Sequence, residues 1–314
     1  MPLTVRKCSS KPDAAPPSSN STRSKHWWKE TKMTTRSPKS RWSSLPKDAL
    51  GERQAARLRR YLRDVVLPFS PHYRDLFAAH RLDAGSIRTL ADLERIPFTS
   101  KADLLPTVEA PDKPRRFILQ PEKSVLARRP GTIIKAALRG REFVARQLEA
   151  EYRPLFLTST TGRSAEPTAF VYTRHDLQNL ETVGRRIYEI CGAQREFRML
   201  NMFPFAPHLA FWLAYHGGTA FGVFVVSSGG GKVMGTEGQL RFMRKINPDV
   251  LIGMPTFVYH VLQQAAEEGI RCEKLSRIVL GGEKVPPGMR RKLRQLAGAL
   301  GAGQVHVLAT YGFT

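Results

Sequence analysis

The chain has 314 residues, enough to bury a sizeable core in one large domain or two modest ones. Hydrophobic residues make up 41% and charged residues 25%, which excludes a wholly disordered or collagen-like chain. Lys and Arg number 50 against 27 Asp and Glu, a formal net charge of +23 that raises nucleic acid as a partner to be tested. Three cysteines, Cys8, Cys191 and Cys272, are too few and too scattered for a disulfide framework or a Cys-based zinc site. No apolar run reaches the ~18 residues of a membrane span, and no secretory signal opens the chain. A soluble cytoplasmic protein is the expectation.

Residues 1–47 hold eleven basic side chains against Asp13 and Glu30, so they carry +9 of the +23. Ser, Thr and Pro dominate the segment and periodic apolar residues are absent, which predicts a disordered basic tail. It reads as a nucleic-acid-binding arm, as an Arg- and Ser-rich transit peptide, or as translated upstream sequence before a start at Met33. From residue 48 the pattern becomes regular. Arg53 to Val65 reads as an amphipathic helix stopped before Pro68, and Ser86 to Arg95 as a second, shorter one. Ser100 is the expected N-cap of the next helix, with Asp103 in the capping-box position. The basic, proline-punctuated stretch 111–153 offers a strand over Thr132 to Ala136.

Strands and helices then alternate. Pro154 to Thr158 and Ala169 to Thr173 read as strands flanking a polar loop. Asp176 to Cys191 reads as a helix with Leu177, Leu180, Val183, Ile187 and Ile190 inward. Met199 to Phe203, Ala220 to Ser227, Asp249 to Gly253, Arg277 to Leu280 and Val305 to Thr310 are short apolar runs of buried-strand character. Between them, Thr256 to Glu268 reads as a helix capped by Gly269, and Val285 to Leu300 as one whose Arg290, Arg291, Lys292 and Arg294 form a solvated face. The predicted fold class is α/β, with mostly parallel sheets and flanking helices and ligands beyond the carboxyl ends of the strands. The basic excess of the body is spread along helices, and no RNP-type aromatic motif, zinc finger or KH-type loop occurs.

The most informative segment is Leu157-Thr158-Ser159-Thr160-Thr161-Gly162-Arg163-Ser164-Ala165-Glu166-Pro167-Thr168. Hydroxyls and backbone N–H groups after a strand are the donors needed to wrap phosphate oxygens, and Arg163 adds charge. An ordinary surface hairpin loop has the same composition. It is not a Walker A loop, and no dinucleotide GxGxxG fingerprint follows a strand. The run Gly229-Gly230-Gly231-Lys232 lacks an upstream glycine and reads as a flexible turn.

This loop resembles the phosphate-binding signature of adenylate-forming enzymes, the acyl-CoA synthetase and AMP-binding superfamily. Within it, the resemblance is to the phenylacetate–CoA ligase and coenzyme F390 synthetase group. Four further blocks agree in order. They are Ile96-Pro97-Phe98-Thr99-Ser100-Lys101-Ala102-Asp103-Leu104 and Glu166-Pro167-Thr168 through Leu177. Ile252-Gly253-Met254-Pro255-Thr256-Phe257 follows, then Gly281-Gly282-Glu283-Lys284-Val285 with Tyr311-Gly312-Phe313-Thr314. The match runs over roughly residues 50–314 and implies one AMP-binding N-terminal domain over 48–314.

The resemblance implies that Thr158, Ser159, Thr160, Thr161, Gly162 and Arg163 hold the β- and γ-phosphates of ATP. It implies that Gly281, Gly282 and Glu283 border adenine and acyl group, that Tyr311 stacks on adenine with Gly312 allowing close approach, and that Thr314 bonds the α-phosphate. It places the acyl group near Phe205, His208, Phe211 and His216. The implied reaction is activation of a small-molecule carboxylic acid by ATP and Mg²⁺ as an acyl-adenylate, followed by transfer to a thiol, CoA by expectation. Two departures stand against it: Ser159 replaces the family's usual Gly, and the Gly162–Pro167 spacing is wide. The family's magnesium-ligating Glu, ribose-binding Asp and catalytic Lys fall beyond Thr314, so an incomplete form is the expectation. The alternatives are a non-enzymatic or nucleic-acid-associated protein using the basic arm, or an inactive truncated product.

Overall fold

The computed structural model of the protein describes residues 45–160 and 167–312. Its centre is a five-stranded, wholly parallel sheet of β3 (Arg198–Asn201), β4 (Phe224–Ser227), β5 (Val250–Gly253), β6 (Arg277–Leu280) and β7 (His306–Ala309). The spatial order is β4-β3-β5-β6-β7. A separate antiparallel ribbon pairs β1 (Phe156–Ser159) with β2 (Ala169–Tyr172), in register from Phe156 opposite Tyr172 to Ser159 opposite Ala169.

The central strands are apolar without alternation because both faces of the sheet are covered. On one face, Leu200, Leu251, Ile278, Leu280 and Val307 pack against α7 (Gly231–Ile246), α8 (Pro255–Glu267) and α9 (Pro287–Ala299). Leu262 and Leu293, from α8 and α9, are completely buried there. Burying each such side chain contributes about 1.5–3 kcal/mol. On the other face, Met199, Val250 and Val279 meet Tyr188 of α5 (Arg174–Ile190) and Phe221 of α6 (Leu209–Phe221). The amino-terminal helices, α1 (Lys47–Tyr61), α2 (Pro71–Ala79), α3 (Pro130–Arg139) and α4 (Arg141–Tyr152), precede the ribbon; Leu62, Val66, Phe77 and Ile87 form a smaller core there.

Several sequence expectations hold. Ser100 and Asp103 form a reciprocal capping box, as do Thr173 and Asp176 at the start of α5. Gly269 follows α8 with φ +64°, as a helix-terminating glycine does. The five parallel strands fall within or beside the predicted apolar runs.

Others are corrected. The strand expected over Thr132 to Ala136 is the middle of α3, which Pro130 opens at its first turn and Gly140 ends at φ +85°. Its β-branched Thr132, Ile133 and Ile134 are outweighed by those end signals. The strand expected from Ala220 begins only at Phe224, because α6 runs to Phe221 and Gly222, at φ +100°, terminates it. The helix expected over Ser86 to Arg95 is two separate 3₁₀ turns, Ala84–Ser86 and Ala91–Arg95. Between them the Asp92 carboxylate accepts from the backbone N–H groups of Arg88 (2.9 Å) and Thr89 (2.7 Å), competing with helical bonding. The helix read over Arg53 to Val65 starts at Lys47 and passes through a π turn at Leu62–Val66.

The Gly229-Gly230-Gly231 run is packed rather than a free turn. A Cβ on Gly229 would fall 2.1 Å from the Phe205 ring, and Gly231 begins α7. On α5 the buried stripe is Leu180, Gly184 and Tyr188, whereas Val183 and Ile190, expected inward, are exposed. The reason is the crossing with α6: a Cβ on Gly184 would lie 2.4 Å from the Gly217 Cα, so the two backbones touch where both helices lack side chains.

Candidate active site

A cavity of about 420 Å³ opens at the carboxyl ends of β3, β5, β6 and β7. That is where ligands bind in parallel α/β sheets, and the volume is that of a small-molecule site. Its wall is contributed by four groups of residues. Phe203, Pro204 and Met254 follow β3 and β5; Gly281, Gly282, Thr310, Tyr311 and Gly312 follow β6 and β7; Gly184, Ile187 and Tyr188 come from α5; Phe211, Leu213 and Ala214 come from α6. Thr160, from the end of the ribbon, and His208, just before α6, add polar groups.

The sheet ends are held together by main-chain bonds. Gly281 N–H donates to Gly253 O (3.2 Å), and Thr310 N–H donates to Leu280 O (2.7 Å). Only glycine fits at 281: a Cβ there would be 2.9 Å from Thr310 Oγ1 and 3.3 Å from the Phe203 ring. Gly282, at φ +88°, turns the chain away from the cavity floor. Glu283 points elsewhere. Its carboxylate accepts from Thr256 N–H (3.1 Å) and Thr256 Oγ1–H (2.9 Å), capping the first turn of α8.

The ribbon and the α6 entrance are stitched into one unit. Ser159 N–H donates to Pro207 O (2.5 Å), and the carbonyl of Ser159 accepts from His208 Nδ1 (2.9 Å). Because a carbonyl only accepts, Nδ1 carries the proton in this bond. Thr158 is fully buried and its hydroxyl donates to Tyr172 OH (3.2 Å). Thr160 N–H donates to Thr168 O (3.0 Å), and Thr168 N–H returns a bond to Thr160 Oγ1 (2.9 Å). The base of the Ser/Thr-rich loop is thus a hydrogen-bonded hairpin stem.

Of the residues singled out from sequence, Thr160, His208, Phe211, Gly281, Gly282, Tyr311 and Gly312 line the cavity. Thr158, Ser159, Glu283, Phe205 and His216 do not line it. The Phe205 ring lies tilted against that of the wall residue Phe211 (centroids 4.4 Å apart), and His216 lies beside Trp212 (6.3 Å), which is itself not in the wall. Thr161, Gly162, Arg163 and Thr314 lie outside the described residues. Tyr311 is 96% exposed, its ring free to take a planar group.

Sequence reasoning missed Gly184, Ile187, Tyr188, Leu213, Ala214 and Thr310. The available signal was the pairing of Gly184 with Gly217-Gly218 in two neighbouring apolar segments, which marks a close helix crossing. Tyr188 is the best anchored of these. Its hydroxyl donates to Ala214 O (2.8 Å) and lies 3.0 Å from Met199 Sδ, and burial pushes its pKa well above the usual phenol value.

Among the described residues no group of three or more His, Cys, Asp or Glu side chains is arranged to hold a metal ion. The one carboxylate beside the rim, Glu283, is engaged by Thr256. No helix among the described residues is long and apolar enough to cross a membrane.

No family model matches the chain. Among curated proteins it is 27% identical over 253 residues to the phenylacetate–coenzyme A ligase of Thermus thermophilus, covering 80% of this chain and 48% of that protein. It is 23% identical to the enzyme of the same name from Pseudomonas putida, covering 85% and 51%. The chain thus spans about half the length of the curated relatives it matches. Among solved structures, 2-hydroxyisobutyryl-CoA ligase superposes with a TM-score of 0.63 at 18% identity, over 86% of this chain and 50% of that one, in complex with 2-HIB-AMP. An open conformation with 2-HIB-AMP and CoA gives 0.62 at 17% identity. These superpositions show a fold shared with about half of each of those chains.

Proposed function

Because the chain is a distant relative of the phenylacetate–coenzyme A ligases, in the adenylate-forming CoA ligase superfamily, we propose that its cavity holds an acyl-adenylate. The observation that carries this reading is the polarity of the cavity itself. One end is a rim of backbone, hydroxyl and exposed aromatic ring at Gly281–Gly282 and Thr310–Gly312. The other is an apolar recess between α5 and α6. A nucleotide with an attached acyl group has the same two halves.

In the proposed reaction a carboxylate oxygen attacks the α-phosphorus of ATP. The bond to the bridging oxygen of the β-phosphate breaks, releasing pyrophosphate and leaving the acyl-adenylate. A thiol, CoA on this reading, then attacks the acyl carbon, and AMP leaves. No side chain of the protein becomes covalently attached. The protein's part is to position the reactants and to place donors around developing charge.

Each described residue has a place in that scheme. Tyr311 offers its face to adenine, and Gly281 and Gly282 let the nucleotide approach the main chain. Thr160 stands where the ribbon meets the cavity, on the side this reading assigns to the phosphates. His208, tied by Nδ1 to Ser159 O, holds the phosphate-side ribbon and the acyl-side helix at a fixed separation. The apolar recess favours an aryl or medium-length acid over a short, polar one.

The test is calorimetric titration with phenylacetyl-sulfamoyl adenosine, a non-hydrolysable acyl-adenylate mimic, alongside adenosine sulfamate without the acyl group. The acylated compound is expected to bind in the micromolar range and more tightly than the bare one. Gly281→Leu, which crowds the rim against Thr310 and Phe203, should weaken it more than tenfold. A folded wild-type chain that binds neither compound at millimolar concentration overturns the reading.

A further inference from the structure

Behind the main cavity lies a second, small chamber of about 20 Å³, room for one group the size of a water or a methyl. It is lined by Cys191, Ala193, Met199, Val250 and the stem of Arg277, and the surface it presents is apolar. Met199, Val250 and Arg277 stand at the amino-terminal ends of β3, β5 and β6, whereas the main cavity opens at the carboxyl ends. Both spaces lie on the face of the sheet covered by α5 and α6. Four residues line both: Ile187 and Tyr188 from α5, Ile252 from β5 and Val279 from β6. They form the wall between the two.

From Gly281, in the rim, to Arg277 is four residues of strand, about 13 Å at ~3.3 Å per residue. The two spaces therefore lie in series along the sheet, with the constriction at mid-strand. The four wall residues are not equally free to move. Tyr188 is pinned by its hydroxyl to Ala214 O, and a Cβ on either Gly217 or Gly218 would come within 3.1 Å of it. Ile252 and Val279 are held in register within the parallel sheet, paired directly with each other. Ile187 is half-buried on a helix, with no polar tie, and is the adjustable member.

We infer that the acyl site continues through this constriction, and that Ile187 with Val279 sets the length of acyl tail the protein accepts. The inference rests on the acyl-adenylate reading and adds to it a length filter. The main cavity takes the carboxyl-proximal part of the acid. A longer unbranched tail passes Ile187 only when that side chain is cut back, and then gains apolar cover in the chamber at the amino-terminal ends of the strands. No polar group is presented there, so the tail that fits ends in a methyl rather than in a hydroxyl or a second carboxylate.

The experiment titrates wild type, Ile187→Ala and Val279→Ala with adenosine sulfamate and with its butanoyl, octanoyl and dodecanoyl sulfamoyl esters. The quantity read is the affinity ratio of dodecanoyl to octanoyl probe in each protein. Each methylene that gains cover is worth about fourfold, so the one group the chamber has room for raises that ratio roughly fourfold in Ile187→Ala. Ile187→Phe, which narrows the same point, lowers the ratio. Val279→Ala should move it in the same direction as Ile187→Ala and guards against a local rearrangement of α5. A ratio that stays within twofold across folded variants, with short probes still bound, overturns the length filter alone. Failure of every probe, bare sulfamate included, overturns the acyl-adenylate reading with it.

Discussion

Replacing Gly184 by Ala tests whether the contact between α5 and α6 is the structural basis of the cavity. An alanine Cβ there would sit 2.4 Å from Gly217 Cα, 3.0 Å from Gly217 N and 3.4 Å from Leu213 O. All three neighbours are backbone, so no side chain can swing aside, and ordinary contact requires the helices to separate by about 1 Å. Helix propensity pulls the other way, since Ala is about 1 kcal/mol better than Gly in a helix interior. Overpacking of a closed contact costs about 1–3 kcal/mol, and an all-backbone clash belongs at the upper end. The net expectation is a loss of about 2 kcal/mol. For a body of this size that lowers the melting temperature by roughly 4–8 °C. The assay is urea unfolding followed by circular dichroism, with Gly51→Ala as the control. Gly51 lies in α1 with nothing within 4 Å of an added Cβ, so that variant should gain about 0.5–1 kcal/mol. A Gly184→Ala protein as stable as wild type refutes the close-crossing argument. Because Gly184 and Ile187 share a face of α5 and both line the cavity, the same variant should also weaken binding of acylated probes.

Three further outcomes follow from the site. Tyr311→Ala, at a ring 96% exposed, should leave the melting temperature unchanged while weakening adenosine sulfamate by about 1–3 kcal/mol, read by calorimetry; equal affinity removes Tyr311 from the nucleotide site. Glu283→Ala deprives the first turn of α8 of the carboxylate held by Thr256 and should cost about 1 kcal/mol in urea unfolding, with Glu283→Gln recovering part of it. Burial pushes the Cys272 thiol up to about 11 from 9.0, so its protonated form is favoured by folding. That stabilisation is complete below about pH 9 and is lost as pH rises through about 11. Stability should fall over that window less steeply in Cys272→Ala than in wild type, and identical slopes would rule Cys272 out as the cause.

The central sheet was legible because its strands are covered on both faces. A run such as Val250-Leu251-Ile252 has no solvent side, and its continuous apolarity is visible without knowing what covers it. The capping boxes at Ser100–Asp103 and Thr173–Asp176 were legible for a related reason: every group involved lies within four residues. What misled was composition read without its punctuation. Thr132-Ile133-Ile134 is strand-like by side chain, yet Pro130 and Gly140 bracket it as a helix. In α5 the apolar residues Val183 and Ile190 suggested an inward stripe that Gly184 in fact occupies, since a hydrophobic pattern gives no weight to a residue that packs by having no side chain.

By itself the sequence determined the parallel α/β class and the order of its strands along the chain, because those depend on local pattern; Gly281, Gly282, Tyr311 and Gly312 came from the resemblance of short motifs, and they line the cavity. The +23 charge, which first suggested nucleic acid, did not locate the cavity. Its described wall is glycine, threonine, tyrosine, His208 and apolar side chains, with no Lys or Arg among the described residues. Only the tertiary structure decided the far half of the site. Ile187, Tyr188, Leu213 and Ala214 reach the cavity because two glycine-bearing helices cross at backbone contact over one face of the sheet. That crossing joins residues some thirty positions apart through the absence of side chains, and absence leaves no periodicity to read.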